Sequence, residues 1–379
     1  MRRFRTVYMR GGTSKGCFFH REDLPEDVSE WDSIFLQVMG SPDPKQIDGM
    51  GGCVSSNNKI VVVSKSDRPG IDIDYLVGQV IVGKERVDYG ANCGNMTAAV
   101  PLFAVDEGMA AVTEPCTTVH MRNLNTDSLI TAVVRIDPDT HETALGGDCE
   151  IAGVDGTSAP IDISFIDPAG SKTAKLFPMG ETIDVLDING LGQIEVSVID
   201  VMNPFVLVRA EDIGLKGTEL PEQINADRCA MQRLEEIRAT VSCMLGIAND
   251  LNEARENSPG VPKIGIFTSP TDYLDISGKI VKAEMTDICV RVLSVFKCHK
   301  ACPLTAAGAI AALYAVDGTI INRARDDCAD RIKVRIAHPS GVMEILTETE
   351  RVGKDVSVKA IHSVRTARRI MDGTIYIRN

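Results

Sequence analysis

Thr97-Ala-Ala-Val-Pro-Leu-Phe-Ala-Val-Asp-Glu107 and Leu304-Thr-Ala-Ala-Gly-Ala-Ile-Ala-Ala-Leu-Tyr-Ala-Val316 are Ala-rich and almost free of charge, and their reading decides the fold. A helix that is apolar on every side is buried on every side. Both stretches are introduced alike. The turn Tyr89-Gly-Ala-Asn-Cys-Gly-Asn95 precedes the first; the strand-like Asp287-Ile-Cys-Val-Arg-Val-Leu-Ser-Val-Phe296 and the turn Lys297-Cys-His-Lys-Ala-Cys-Pro303 precede the second. Pro303 suits a first helical turn, where its missing N–H costs nothing. The two starts lie about 210 residues apart, the spacing of a pseudo-duplicated chain.

Short β-branched segments surround these helices: Lys59–Ser64, Ile71–Gly83, Leu129–Ile136, Gly192–Val201 and Ile332–Ala337. Glu219–Asn249 reads as a long helix broken near its start by Pro221. The expected class is therefore α+β, with two similar halves, each a curved, barrel-like sheet around one central helix. The boundary is expected at the Gly190-Leu-Gly192 turn, giving domains 1–190 and 191–379, with the last strand able to return to the first half.

A chain of 379 residues exceeds what one core organises, in keeping with two domains. With 44% hydrophobic and 25% charged residues it is neither disordered nor collagenous. No apolar run is long enough for a membrane helix, and the basic start MRRFRTVYMRGG lacks the apolar core of a signal peptide. The net charge of −13, from 40 basic and 53 acidic residues, argues against nucleic acid as a partner. A small anion must then be captured by local donors. Eleven cysteines without any C-x-x-C pair read as reduced thiols of a cytoplasmic protein. Cys149, Cys229, Cys243 and Cys289 are taken as structural. Cys298, His299 and Cys302 have loose metal spacing but no second Cys/His pair to close a tetrahedral site, so no metal is expected.

Four Gly-rich polar segments stand out: Arg10-Gly-Gly-Thr-Ser-Lys-Gly16, Asp48-Gly-Met-Gly-Gly52 leading to Ser55-Ser-Asn-Asn-Lys59, Asn92-Cys-Gly-Asn95, and His338-Pro-Ser-Gly341. None fits a Walker or a dinucleotide-binding pattern, and, taken singly, each is read first as a turn requiring positive φ. Cys93 differs in kind. A thiol at a helix start faces unpaired amides, which favour a thiolate and would also receive a carboxylate. Lys59 opens an apolar strand after a polar loop; it is either a solvated strand end or a general base among cations such as Arg10 and Lys15. His299 and Lys300 precede the second helix as Cys93 precedes the first. Arg365-Thr-Ala-Arg-Arg369 is a partly solvated basic stretch.

Together these motifs resemble the PrpF family: 2-methylaconitate cis–trans isomerases, methylitaconate delta-isomerase and 4-oxalomesaconate tautomerase. The matching segments are MRGGTSKG at 9–16, QIDGMGG at 46–52, Asn92-Cys-Gly-Asn95, HKACPLT at 299–305, AHPSG at 337–341 and RTARRIMDG at 365–373. The resemblance implies a diaminopimelate-epimerase-like fold with the active site in the cleft between its halves. It also implies a cofactor-independent isomerase of a small unsaturated di- or tricarboxylate, in which Lys59 and Cys93 form the acid/base pair. Arg10, Thr13, Ser14, Lys15, Ser55, Ser56, Gly94, Asn95, His299, Lys300, Ser340 and Gly341 are the candidate substrate contacts, and a homo-oligomer is left open. The epimerase relatives carry a second catalytic cysteine where Pro303 stands here, with Cys302 one residue out of register, and their Asn-Pro-His is altered to Asn203-Pro204-Phe205. A racemase or epimerase, or a non-catalytic accessory protein of an aconitase-type dehydratase, are the alternatives.

Overall fold

The computed structural model describes residues 1–90, 92–188, 190–323, 330–352 and 355–378. Ala91, in the turn before the first central helix, and Cys328 lie outside the described residues. The chain forms two compact units, residues 1–164 with 364–379, and residues 165–363.

The first unit begins with β1 (Arg2–Gly11), β2 (Ser14–His20), α1 (Trp31–Met39), β3 (Lys59–Lys65), β4 (Ile73–Val80) and β5 (Val87–Asp88). The helices α2 (Gly94–Thr97) and α3 (Val100–Asp106) follow, then β6 (Cys116–Asn123), β7 (Ser128–Arg135) and β8 (Ile161–Ile166), whose last two residues already count to the second unit. The second unit contains β9 (Asp184–Ile188), β10 (Gly192–Val201), β11 (Asn203–Arg209), α4 (Ala210–Ile213), α5 (Pro221–Ala226), α6 (Arg228–Met244) and α7 (Leu251–Asn257). It continues with β12 (Lys263–Thr268), β13 (Tyr273–Leu274), β14 (Ile280–Val281), β15 (Ile288–Ser294), β16 (Lys297–Cys298), α8 (Leu304–Ala315), β17 (Arg331–His338), β18 (Gly341–Val352) and β19 (Asp355–Arg365). The final strand, β20 (Ala367–Ile377), lies in the first unit, antiparallel to β1 from Arg2↔Ile377 to Gly11↔Ala367.

The pairing scheme repeats. In the first unit, β20–β1 and β1–β2 are antiparallel, β2–β3 parallel, β3–β4 antiparallel, β4–β6 parallel and β6–β7 antiparallel. In the second, β9–β10 and β10–β11 are antiparallel, β11–β12 parallel, β12–β15 antiparallel, β15–β17 parallel and β17–β18 antiparallel. The short hairpin strands β5 and β16 branch at corresponding places, and α3 and α8 follow them. α3 packs on β20 at one end of its strand row and on β6 and β7 at the other, while α8 packs on β10, β11, β17 and β18. Each sheet thus curls around its helix, as the uncharged sequences required.

Two boundaries differ from expectation. Gly190-Leu-Gly192 is the tight turn of the β9–β10 hairpin, which pairs Gly192 with Ile188, so it lies inside the second unit; the division falls after Ser164. The first central helix is also interrupted. α2 is a single turn from Gly94, and the helix resumes at Val100, because Pro101 has no N–H to bond the carbonyl of Thr97. The amide of Thr97 still reaches Cys93 O at 3.0 Å, and those of Ala98 and Ala99 make tighter bonds to Asn95 and Met96. α1 closes the other face of the first sheet, seating Trp31, Ile34, Phe35, Val38 and Met39 against Phe19, Ile60 and Val62. Each such side chain contributes roughly 1.5–3 kcal/mol by burial.

Candidate active site

In the first unit, four strands bring the candidate residues to one end of the sheet. The β1–β2 hairpin pairs Arg10 with Lys15 and Gly11 with Ser14, turning at Gly12 with φ +50°. The next strand lies parallel, with Gly16 opposite Lys59, and Lys59 in turn faces Gln79 on β4. Asn95, in the turn of α2, donates through Nδ2 to Thr13 Oγ1 at 2.9 Å and Ser14 Oγ at 3.4 Å. Cys93, the residue preceding that turn, has extended backbone and makes no side-chain capping bond. One helical turn sums few peptide dipoles, so the half-buried Cys93 stands at a weak helix start.

The glycines of MRGGTSKG and QIDGMGG are explained more by close approach than by positive φ. A Cβ on Gly11 would sit 2.3 Å from Asn95 O, and one on Gly16 2.3 Å from Lys59 O. At Gly49 it would lie 2.2 Å from Gly40 N, at Gly51 2.4 Å from Gln46 Cδ and at Gly52 2.7 Å from Asn57 Cβ. The loop 46–58 is wound on its own amides. Gln46 accepts from Cys53 N at 2.8 Å and donates to Asn58 Oδ1, and Asn58 Nδ2 donates to Val54 O at 2.9 Å. Ser55 and Ser56 are half-buried in this loop, with Ser56 bonding Asn57.

Beneath Cys93 lies a buried polar cluster. Tyr75 OH meets Thr97 Oγ1 at 2.7 Å and accepts from Asn92 Nδ2 at 3.3 Å, and Thr97 also bonds Cys93 O at 3.2 Å. Burial pushes the Tyr75 hydroxyl above its ordinary range. Arg10 directs Nη1 to Gly12 O, Thr366 O and Thr366 Oγ1 at 2.9–3.0 Å, tying the hairpin tip to the C-terminal segment. Burial and the nearby Arg368 lower its pKa. Lys15 lies 5.9 Å over the Tyr8 ring.

In the second unit, Ser340 joins the remaining candidates. Its hydroxyl bonds Lys300 O and its amide donates to His338 Nδ1 at 3.2 Å. Tyr273 OH fastens the same turn to His338 O and Gly341 O at 2.5 and 3.1 Å. His299 N bonds Val292 O, and exposed Lys300 lies 3.9 Å from Glu222. Cys298 and Cys302 are buried, their thiols 3.7 Å from the carbonyls of His299 and Pro303; burial pushes Cys298 up to about 12. Among the described residues no group of three or more His, Cys, Asp or Glu is arranged to hold a metal ion. Of the four thiols taken as structural, Cys289 is buried, Cys149 and Cys243 are half-buried, and Cys229 is exposed.

The family described as PrpF protein matches residues 1–378. The chain is 39% identical over 372 residues to a protein named 3-methylitaconate isomerase from Eubacterium barkeri, covering 98% of this chain and 96% of that one. It is 40% identical over 386 residues to a 2-methyl-aconitate isomerase from Shewanella oneidensis, with the same coverages. A crystal structure of methylitaconate-delta-isomerase superposes with a TM-score of 0.80 at 39% identity, covering 99% of this chain and 96% of that one. The chain belongs to the PrpF family. It is an isomerase, as its full-length relatives in the family are named.

In this PrpF-family chain Pro303 stands at the N-cap of α8, and neighbouring Cys302 is only 2% exposed. Gln79 and Tyr75, at this end of the first unit, carry no role in the sequence reading, and Gln46 enters it only as the first residue of QIDGMGG. Gln79 carried a signal, as a lone amide in the apolar run Leu76-Val-Gly-Gln-Val-Ile81. No helix of the described residues is long and apolar enough to cross a membrane.

Proposed function

We propose that this protein shifts a double bond within a small unsaturated di- or tricarboxylate of the methylitaconate, methylaconitate or oxalomesaconate type, using Lys59 and Cys93 as the proton-transfer pair. The observation that carries the reading is full-length kinship with relatives so named, together with both residues lying in one hydrogen-bonded end of the first unit. One group removes a proton from the carbon beside the alkene. The electron pair spreads through the alkene into a carboxylate, and the second group delivers a proton to the far alkene carbon. Atoms and electrons balance, since one proton leaves and one returns. First-turn amides at Gly94 and Asn95, with the hydroxyls of Thr13 and Ser14, are suited to the carboxylate on which charge develops. An acid and a base each contribute about 10²- to 10⁴-fold.

The test is proton NMR in D₂O with methylitaconate, methylaconitate, oxalomesaconate and aconitate offered separately. Deuterium entering at an allylic carbon with new vinyl or methyl signals is expected for one of them. Absence of exchange with all four overturns the reading. The racemase alternative needs a second group on the opposite face of the substrate, and buried Cys302 is the nearest thiol in sequence. Cys302→Ser is therefore expected to keep activity.

A further inference from the structure

Gln79 is bound at both ends of its amide. Its Nε2 donates to Asn58 O and Val80 O, each at 3.0 Å, which leaves Oε1 facing Lys59 Nζ, and the two are hydrogen-bonded. The amide orientation is thus dictated by two backbone carbonyls. Asn58, fully buried, is itself held by Gln46, which is held by Cys53 N. A chain of amides runs from the QIDGMGG loop to the lysine. Simple solvation of a strand-end lysine requires none of it.

We infer that Gln79 is a positioning residue for Lys59: an uncharged acceptor that fixes where the lysine nitrogen stands without pinning its proton as a carboxylate would. This rests on Lys59 being the proton-transfer group proposed above. A lysine has three rotatable donors on a flexible stem, so an immobile acceptor selects one placement. A carboxylate at the same point would form an ion pair and hold the ammonium charged. The charged or titratable groups on the elements packed here are Lys15, Cys17 and His20 on β2, Lys65 on β3 itself, Asp74 and Tyr75 on β4, Asp88 on β5 opposite Gln79, and Arg21, Glu22 and Asp23 in the turn meeting the far end of β3. None is hydrogen-bonded to Lys59 among the described residues, and Asp88 is engaged by Gly90 N at 2.8 Å.

The test measures kcat, KM and pH–rate profiles for Gln79→Met, Gln79→Glu and Lys59→Met, using whichever acid the wild-type protein turns over. Gln79→Met is expected to lower kcat about 10- to 100-fold with KM within about twofold, as for a displaced but present base. Gln79→Glu, isosteric and able to keep the bond accepted from Lys59 though not the two that Nε2 donates, is expected to move the limb that reports the base to higher pH. Should Gln79→Met fail to fold, that shift decides alone. Inactive Lys59→Met together with Gln79 variants of unchanged kcat and unchanged profile overturns the positioning role only. An active Lys59→Met overturns the lysine's role and the inference with it.

Discussion

Lys59→Met and Cys93→Ser are each expected to lower kcat by about 10²- to 10⁴-fold, measured by NMR turnover, with thermal unfolding little changed because neither side chain is fully buried. A variant keeping wild-type turnover removes that residue from the mechanism. Gly16→Ala acts differently. Its Cβ would press on Lys59 O and Cβ at 2.3 and 2.8 Å, so β2 and β3 must separate where the lysine stands. Both kcat and melting temperature should fall, and an unchanged melting temperature would contradict the packing described. Asp184 gives a pH-dependent case. Its Oδ2 is buried without a hydrogen-bond partner among the described residues, and burial, then the charge of Glu181, pushes the carboxyl up to about 6. The unfolded value is about 3.9. The native state therefore keeps a proton that the unfolded chain releases, and stability falls as pH rises through that window. Asp184→Asn is expected to raise the melting temperature at pH 7.5 and not at pH 4; equal gains at both would rule out this cause. Lys59 and Cys93 were legible because a cation and a thiol in Gly-rich turns are conspicuous. The amides of Gln79 and Gln46 were not, since their value lies in partners distant in sequence.

Glu107, at the end of α3, ties that helix to three strands. Its carboxylate, 5% exposed, accepts from Arg5 at 2.8 Å, Arg369 at 2.8 Å and His20 at 3.0 Å. Burial alone would raise its pKa, but bonds from His20 and Arg369 and the charges of Arg369 and Arg5 hold it below the usual range. Its stabilisation is thus present above the unfolded value near 4.3 and is lost as pH falls through the depressed native value. Glu107→Gln should cost on the order of 1–2 kcal/mol at pH 7 by weakening charge-assisted bonds to the partly exposed Arg5 and Arg369, and less at pH 3, as read by urea unfolding. Periodicity located the elements well where burial is one-sided or total: Gly192–Val201 is β10 to the residue, and the expected Leu304–Val316 is α8 but for Val316, its extended C-cap. It failed at local backbone events. Val295 and Phe296 form the β15–β16 turn at φ +50° and +61° with no Gly or Asn to announce it. Pro101 divides the first central helix although the residues around it stay apolar. The long helix expected over Glu219–Asn249 is two, meeting at Asp227, whose carboxylate caps α6 through Ala230 N.

The duplication suspected from two uncharged helices is visible at molecular scale in hydrogen-bond topology, where the order of parallel and antiparallel pairs is the same in both units. The sequence conceals it because matching positions carry different side chains: β3 and β12 both open on lysine, Lys59 and Lys263, but Gly16 lies opposite the first and Phe205 opposite the second. Chain order also conceals the true units, since only pairing in space assigns β20 to the first. Ending the chain at Ser363 should therefore abolish amide protection in β1 while leaving β10 to β12 protected in hydrogen exchange. Equal loss in both units would make them one cooperative body.

That arrangement has a consequence for synthesis. Of the described strands, β1 leaves the ribosome before the others and its outer partner β20 after them, Arg2 lying opposite Ile377. The second unit is continuous and complete in sequence before those final residues are translated, so the usual order, N-terminal part first, is inverted. Lys59 and Cys93 both belong to the unit finished last. A ribosome that stalls between Ser363 and Ile377 then leaves a completed second unit beside a first unit without its outer strand, and such chains stay unfinished in the unit that holds Lys59 and Cys93.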